Sequence, residues 1–313
     1  VRRSLAIAMG VLLTFPGQGA QRPGMLHALP EHPAVAQTLA EASEVLGYDI
    51  LSLDDAPRLA STVAVQLCLL TAGVASARCL LDDGARADAV AGLSIGAYAA
   101  AVVAGVLPFG EAVRLVALRG KLMEDAYPGG YGMTAILGLE RGPLEAIVAA
   151  VHGPALPVYL ANHNAEMQFV IAGADAAMAR VTELSKAAGA REAKRVAISV
   201  PSHCALLNDS AEALAQAFAG VSVRRPLLRY FSASAARELR DPSRITADLA
   251  RNMALPVRWH ETMLLARACD MRLAVEMPPG NVLTRLCLPL LPNAVALGQT
   301  RPESVRLLTL REP

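Results

Sequence analysis

Gly92-Leu93-Ser94-Ile95-Gly96 spells G-x-S-x-G where an apolar run gives way to a stretch of helix formers. Ala87-Asp88-Ala89-Val90-Ala91 precedes it and Ala97-Tyr98-Ala99-Ala100-Ala101-Val102-Val103 follows. A serine on a strand-to-helix turn is held exposed at the head of a helix, with backbone N–H groups aimed at it. That placement presents a weak nucleophile to a carbonyl carbon. The same glycines also suit a tight turn with no chemistry in it. A nucleophilic serine needs a base. The six histidines are His27, His32, His152, His163, His203 and His260. No pair has the spacing of a helical zinc site, so no metal site is expected. His203 is the candidate base. Val200-Pro201-Ser202-His203 reads as the end of a strand, with a helix from Cys204 to Phe218 behind it. An imidazole there can face a cleft, although a lone histidine at a helix start can equally contact only water or backbone. Cys204 is not its partner, because adjacent helical positions point about 100° apart.

The elements that must position these residues alternate between strand and helix patterns, which predicts an α/β fold. Strands are expected near Gly10 to Phe15 and Ala87 to Ala91. Thr62 to Leu81 reads as a long apolar helix buried on most sides, and Ile95 to Gly105 and Pro108 to Ala126 as two more. Pro128-Gly129-Gly130-Tyr131-Gly132 interrupts this pattern. Beyond it, the order β-α-β-β-α-β over Gly132 to Val200, with a last strand from Ala193 to Val200, is ferredoxin-like. A small inserted domain over 131–200 is therefore expected, within a large domain built from 1–130 and 201–313.

Hydrophobic residues make up 54% and charged residues 18% of the 313, enough for a large core. Aromatics are only 4%, so that core is aliphatic. The net charge of +1 argues against whole-surface nucleic-acid binding. Cys68, Cys79, Cys204, Cys269 and Cys287 form no C-x-x-C pair, and their number is odd. Free buried thiols in a reducing compartment account for them. Arg2-Arg3 followed by the apolar run Leu5 to Leu13 imitates a short signal peptide, but the run leads straight into Thr14-Phe15-Pro16-Gly17. A buried first strand explains it better, with Met9 a candidate start. Gly, Gln, Arg or Asp interrupts every long apolar stretch, so no membrane span is expected and the reading is cytoplasmic.

Further blocks make the chain resemble the malonyl-CoA:acyl-carrier-protein transacylase family along nearly its whole length. They are Phe15-Pro16-Gly17-Gln18-Gly19-Ala20-Gln21, the G-x-S-x-G segment, Leu118-Arg119-Gly120, Gly132-Met133 and Val170-Ile171-Ala172-Gly173. Ser199-Val200-Pro201-Ser202-His203-Cys204, Pro256-Val257-Arg258-Trp259 and Pro279-Gly280-Asn281-Val282-Leu283-Thr284 follow in order. The resemblance implies a large α/β-hydrolase-like domain with a parallel central sheet. It also implies that malonyl passes from malonyl-CoA, through an ester on Ser94, to the thiol on a carrier protein's prosthetic arm. No bound cofactor is implied. His203 matches the base, and Gln18 and Ile95 match the residues whose backbone N–H groups form an oxyanion hole. Arg119 matches the arginine that holds malonyl's free carboxylate; on spacing alone it reads as a surface arginine. Met133 and Gln66 match substrate-pocket positions. Asn252 stands where the family has a glutamine that orients the histidine, so either its shorter amide or a backbone carbonyl does that work.

Leu93, Ala97, the Asn162-His163-Asn164-Ala165-Glu166-Met167-Gln168 segment and Met277-Pro278-Pro279-Gly280 depart from the common family pattern. They resemble the epsilon subunit of malonate decarboxylase, which implies the decarboxylase carrier subunit as acceptor. A transacylase of fatty acid or polyketide synthesis is the alternative. A serine hydrolase is more remote, since no H-G-G-G-type loop is present and some 110 residues follow His203. An inactive acyl-binding scaffold conflicts with the intact Ser94, His203, Arg119 and Gln18 set. For docking an acidic carrier, Lys186, Arg191, Lys194 and Arg195 cluster in the small domain, and Arg224, Arg225 and Arg229 in the large one.

Overall fold

The computed structural model describes residues 10–291 and 293–310. The Arg2–Met9 stretch, with its signal-like start and the candidate initiator Met9, lies outside the described residues. The strands are β1 (Gly10–Phe15), β2 (Ala89–Gly92), β3 (Tyr131–Leu137), β4 (Val158–Ala165), β5 (Gln168–Ala174) and β6 (Glu192–Arg195). They continue with β7 (Arg229–Ser232), β8 (Arg237–Leu239), β9 (Met271–Glu276) and β10 (Asn293–Ala296). One sheet runs β10-β9-β1-β2-β7-β8, with every neighbouring pair parallel except β7 and β8. Its central strand β1, Gly-Val-Leu-Leu-Thr-Phe, is buried at every position. A strand covered on both faces reads as a continuous apolar run, and this one does.

Helix α1 (Pro33–Leu46), α2 (Thr62–Asp82), α3 (Gly96–Val103) and α4 (Phe109–Ala126) pack together beside this sheet. Their contacts and those of β1 and β2 form the principal core. Helix α2 is long and apolar enough to cross a membrane, contrary to the sequence expectation, but 89% of its most apolar window is buried inside the fold. Its composition reflects its place at the centre, against α1, α3 and α4 at once.

The second sheet is antiparallel, in the order β4-β5-β3-β6. Helices α5 (Arg141–Val151) and α6 (Asp175–Ala187) pack on it, sealing Ile136, Phe169 and Ile171 beneath them. Val257 ties it to the larger part of the chain, donating to the Ala161 carbonyl and accepting from the His163 N–H. The expected last strand, Ala193 to Val200, stops at Arg195. Beyond it Val196 still donates to the Met133 carbonyl, but the Ile198 N–H turns back to the Val196 carbonyl, and 196–204 crosses to the larger sheet as a loop. The expected helix from Cys204 is likewise delayed. Cys204 is extended, Ala205–Leu207 is a 3-10 turn, and α7 is Asn208–Ala217.

Candidate active site

Ser94 lies two residues past the end of β2 and adopts φ 56°, a left-handed backbone that non-glycine residues rarely take. The two motif glycines make this possible. A Cβ on Gly92 would lie 2.1 Å from the Gly96 carbonyl carbon, and one on Gly96 would lie 2.1 Å from the Phe15 carbonyl oxygen. The turn thus closes so tightly on itself and on β1 that neither position admits a side chain. Gly17 also packs close, since a Cβ there would lie 2.8 Å from the Leu93 carbonyl oxygen. This brings the segment that carries Gln18 alongside Ser94. Within α3 the N–H groups of Gly96, Ala97 and Tyr98 donate to Leu93, Ser94 and Ile95. No protein acceptor among the described residues meets the N–H of Ile95 or of Gln18.

His203 reaches Ser94 from the crossing loop. Its Nε2 lies 2.8 Å from Ser94 Oγ. Nδ1 faces two carbonyl oxygens, Asn252 O at 2.8 Å and Leu255 O at 3.1 Å. Carbonyls only accept, so Nδ1 carries the proton and Nε2 presents its lone pair to the serine hydroxyl. The loop holds the ring there at φ 64°, with the His203 N–H donating to Met253 O at 2.6 Å. Burial, and secondarily the Arg119 charge, pushes the imidazole down to about 4, against the opposing pull of the two carbonyls. His203 is therefore neutral near pH 7 and able to take a proton. Cys204 beside it is no rival nucleophile, because burial drives its thiol up to about 12.

Arg119, on α4, is completely buried. Its Nη1 donates to Gln66 Oε1 at 2.7 Å, and Nη2 donates to Asn252 Oδ1 at 3.1 Å and to Ser94 Oγ at 3.2 Å. Nε finds no acceptor, and no carboxylate pairs with the group among the described residues. Burial lowers its pKa to about 10, so it remains a cation at neutral pH. A buried, unpaired guanidinium touching a serine hydroxyl is costly unless an anion joins it. The surface reading of Arg119 is thereby excluded.

A cleft of about 250 Å³ opens onto this constellation, walled by Gln18, Ser94, Met133, Asn162, His203 and Leu286 among others. No carboxylate lines it. Met133 is nearly buried there, its sulfur accepting from the Ser202 hydroxyl at 3.1 Å. Neither Gln66 nor Arg119 lines the cleft; Arg119 adjoins it through its contact with Ser94 Oγ, and Gln66 holds the other guanidinium nitrogen. Asn252 contacts the histidine through its backbone carbonyl, while its side chain fixes Arg119 and donates from Nδ2 to Ser94 O at 3.3 Å. The Leu255 carbonyl, and Tyr98 with its ring 6.0 Å from the Arg119 guanidinium, complete the surroundings. Sequence reasoning missed both. Tyr98 follows Ser94 by four residues, one helical turn, which was the available signal. A larger cavity of about 480 Å³, between Met25, Leu80 and Leu297, shares no lining residue with the cleft.

Among the described residues one group, His32, Cys79 and Asp83, gathers its potential ligand atoms within 4.8 Å. His32 Nδ1 accepts the Ala34 N–H to cap α1, so Nε2 carries the ring proton and faces Asp83 at 3.6 Å. That leaves the neutral ring no lone pair for a metal. Of the basic residues, Arg195 is engaged by Asp175 at 2.7 Å and Arg229 by Glu238 at 2.7 Å. Lys186, Arg191, Lys194, Arg224 and Arg225 are exposed.

The chain matches the acyl transferase domain family over residues 13–295. It is 39% identical over 283 residues to the malonyl CoA-acyl carrier protein transacylase of Haemophilus influenzae, covering 88% of this chain and 90% of that one. The transacylase of Escherichia coli K12 is 38% identical over 299 residues, covering 93% and 96%. Among solved structures, the malonyl CoA-acyl carrier protein transacylase from Coxiella burnetii superposes with a TM-score of 0.92 at 34% identity, covering 99% of each chain. A malonyl-transacylase in complex with its type II polyketide acyl-carrier protein superposes at 0.89 and 37% identity, covering 96% and 99%. The chain is an acyltransferase and belongs to the malonyl-CoA:acyl-carrier-protein transacylase family.

Proposed function

We propose that this enzyme moves malonyl from malonyl-CoA to the thiol of an acyl carrier protein in two half-reactions through Ser94. The observation that carries the reading is the buried, unpaired Arg119 cation set against a serine whose hydroxyl already faces a neutral imidazole. In the first half-reaction His203 Nε2 takes the Ser94 proton as Oγ attacks the thioester carbonyl carbon. The oxygen of the tetrahedral intermediate lies between the N–H groups of Gln18 and Ile95, donors of a type worth about 10²–10³ in rate. The C–S bond breaks and His203 returns the proton to the leaving CoA thiolate. In the second half-reaction the carrier thiol gives its proton to His203, and its sulfur attacks the malonyl ester. The C–O bond breaks, and Ser94 recovers its proton. Arg119 holds the malonyl carboxylate throughout, which turns a general acyl-transfer site into one for a dicarboxylic half-thioester. Met133 forms part of the substrate wall, while Gln66 and Asn252 fix the guanidinium.

The related transacylases, and the solved complex of one of them with its carrier, support an acyl carrier protein of fatty acid or polyketide synthesis as acceptor. They do so over the malonate decarboxylase carrier to which Leu93 and the Met277-Pro278-Pro279 departure point. The order β4-β5-β3-β6 with α5 and α6 packed on it supports reading 131–200 as a ferredoxin-like insertion in an α/β-hydrolase-like domain. A transfer assay tests the carrier: malonyl-CoA is supplied with either holo-carrier, and malonyl-carrier is followed by mass spectrometry. Faster transfer to the acyl carrier protein is expected; faster transfer to the decarboxylase carrier overturns the choice.

A further inference from the structure

The register of the small sheet separates its basic residues by face. Ala135 pairs with Lys194, and Thr134 with Arg195. Directly opposed residues in an antiparallel pair share a face, and successive residues alternate. Thr134 and Arg195 point toward α6, where both contact the Met178 sulfur. Arg195 is further held there by Asp175. Met133, Ala135 and Val170 lie on the other face and line the cleft. Lys194 therefore stands on the cleft-facing side. It is exposed, without an ion-pair partner among the described residues, and it lies one strand across from Ala135, which lines a cleft whose walls hold no carboxylate. Glu192, opposite Leu137, is the acid on this face of β6 and lies farther along the strand from the Ser202–His203 loop.

We infer that Lys194 binds the phosphate at the far end of the thiol-bearing arm, a deepening that rests on the malonyl-transfer reading. CoA and a carrier's prosthetic arm share this group, a phosphate ester on pantetheine. About thirteen bonds separate its sulfur from its phosphorus, equivalent to roughly four extended residues or about 15 Å. The sulfur must lie at Ser94. Met133, whose sulfur touches Ser202 beside His203, marks that end of the cleft wall. Lys194 is two residues along and one strand across, roughly 8 Å from Met133 between Cα atoms. Its four-carbon stem carries the ammonium farther toward the mouth, to about the reach of the arm. The carboxylate of the acyl group is thus met beside Ser94 by Arg119, and the phosphate at the other end of the arm by Lys194.

Paired thioesters test this. Acylation by malonyl-phosphopantetheine is compared with acylation by malonyl-pantetheine, which lacks the phosphate. Deacylation of the malonyl-enzyme by phosphopantetheine is compared with deacylation by pantetheine. Lys194→Ala is expected to lower the phosphate preference in kcat/KM about fivefold. Lys194→Arg should keep it, and added salt should erode it. Arg191→Ala, on the opposite alternation of the same segment, should leave it unchanged. Deacylation by phosphopantetheine is acylation by its malonyl thioester run backwards, so both preferences should fall by the same factor. Slowed acylation by malonyl-CoA with unchanged transfer to holo-carrier assigns Lys194 to CoA, and the converse assigns it to the carrier arm. An unmoved preference in both, or equal loss with both members of a pair, overturns the inference. Absence of a malonyl-enzyme with any thioester would instead overturn the malonyl-transfer reading.

Discussion

Replacing Arg119 by methionine isolates what the buried cation does. Methionine fills much of the same space, so the change removes charge and donors more than volume. Arg119 is fully buried and its three donated bonds go to neutral groups, so a bound carboxylate would be its sole counter-charge in the site. Two charge-assisted hydrogen bonds at about 1.5–3 kcal/mol each set the loss at about 3–6 kcal/mol, a range that includes the cost of breaking a buried ion pair. The expected fall in kcat/KM for malonyl-CoA is roughly 10²- to 10⁴-fold. Acetyl-CoA carries no second carboxylate, so its acylation of Ser94 should change far less, and preference should move toward acetyl by a similar factor. Stopped-flow mixing with each thioester, quenched and read by intact-protein mass spectrometry, measures both rates. Thermal unfolding monitors the fold, because Gln66 Oε1 and Asn252 Oδ1 each lose a donor. An equal loss with malonyl-CoA and acetyl-CoA would refute carboxylate recognition by Arg119.

The histidine and Gly96 give three more tests. His203 is held at about 4 by burial first and by Arg119 second, so it stays a competent base as pH falls below the usual histidine range. Its ring resonances in NMR should titrate near pH 4, and Arg119→Met should move that midpoint upward; a midpoint near 6.5 in the parent would contradict the buried geometry. Since the unfolded chain binds this proton near 6.5 and the folded one near 4, stability should be level above about pH 6.5 and fall as pH drops toward 4. Gly96→Ala forces a Cβ to 2.1 Å from the Phe15 carbonyl oxygen, and backbone rather than a flexible side chain must yield. A loss of about 4 kcal/mol or more in denaturant unfolding is expected, and a loss below about 1 kcal/mol would show that the turn can open.

Ser94 was legible because its signal is local: five consecutive residues between an apolar run and helix formers describe the turn completely. The two glycines are required by the closeness of the turn to itself and to β1, and that same turn sets Ser94 against His203. His203 required the family resemblance, since nothing in Val200-Pro201-Ser202-His203 tells which distant element its ring faces. The strand before it ends at Arg195 and the helix after it starts only at Asn208, so the loop that carries it is longer than the hydrophobic pattern shows. Arg119 was beyond local reading for another reason. Its partners lie 25, 53 and 133 residues away, on a turn, on α2 and after helix α8 (Pro242–Arg251). Asn252 shows the remaining gap: the group that fixes the histidine is a backbone carbonyl, which no side-chain motif encodes. Lys194 was visible as one basic residue among several, and only strand register sets it apart from Arg195.

The central claim is a covalent malonyl ester on Ser94. Brief exposure to malonyl-CoA, followed by intact mass and peptide mapping, reads it directly. One malonyl group per chain is expected, on the peptide containing Ser94, removed by a carrier thiol and absent in Ser94→Ala. A parent enzyme that gains no malonyl group, or a Ser94→Ala variant that gains one, would contradict it.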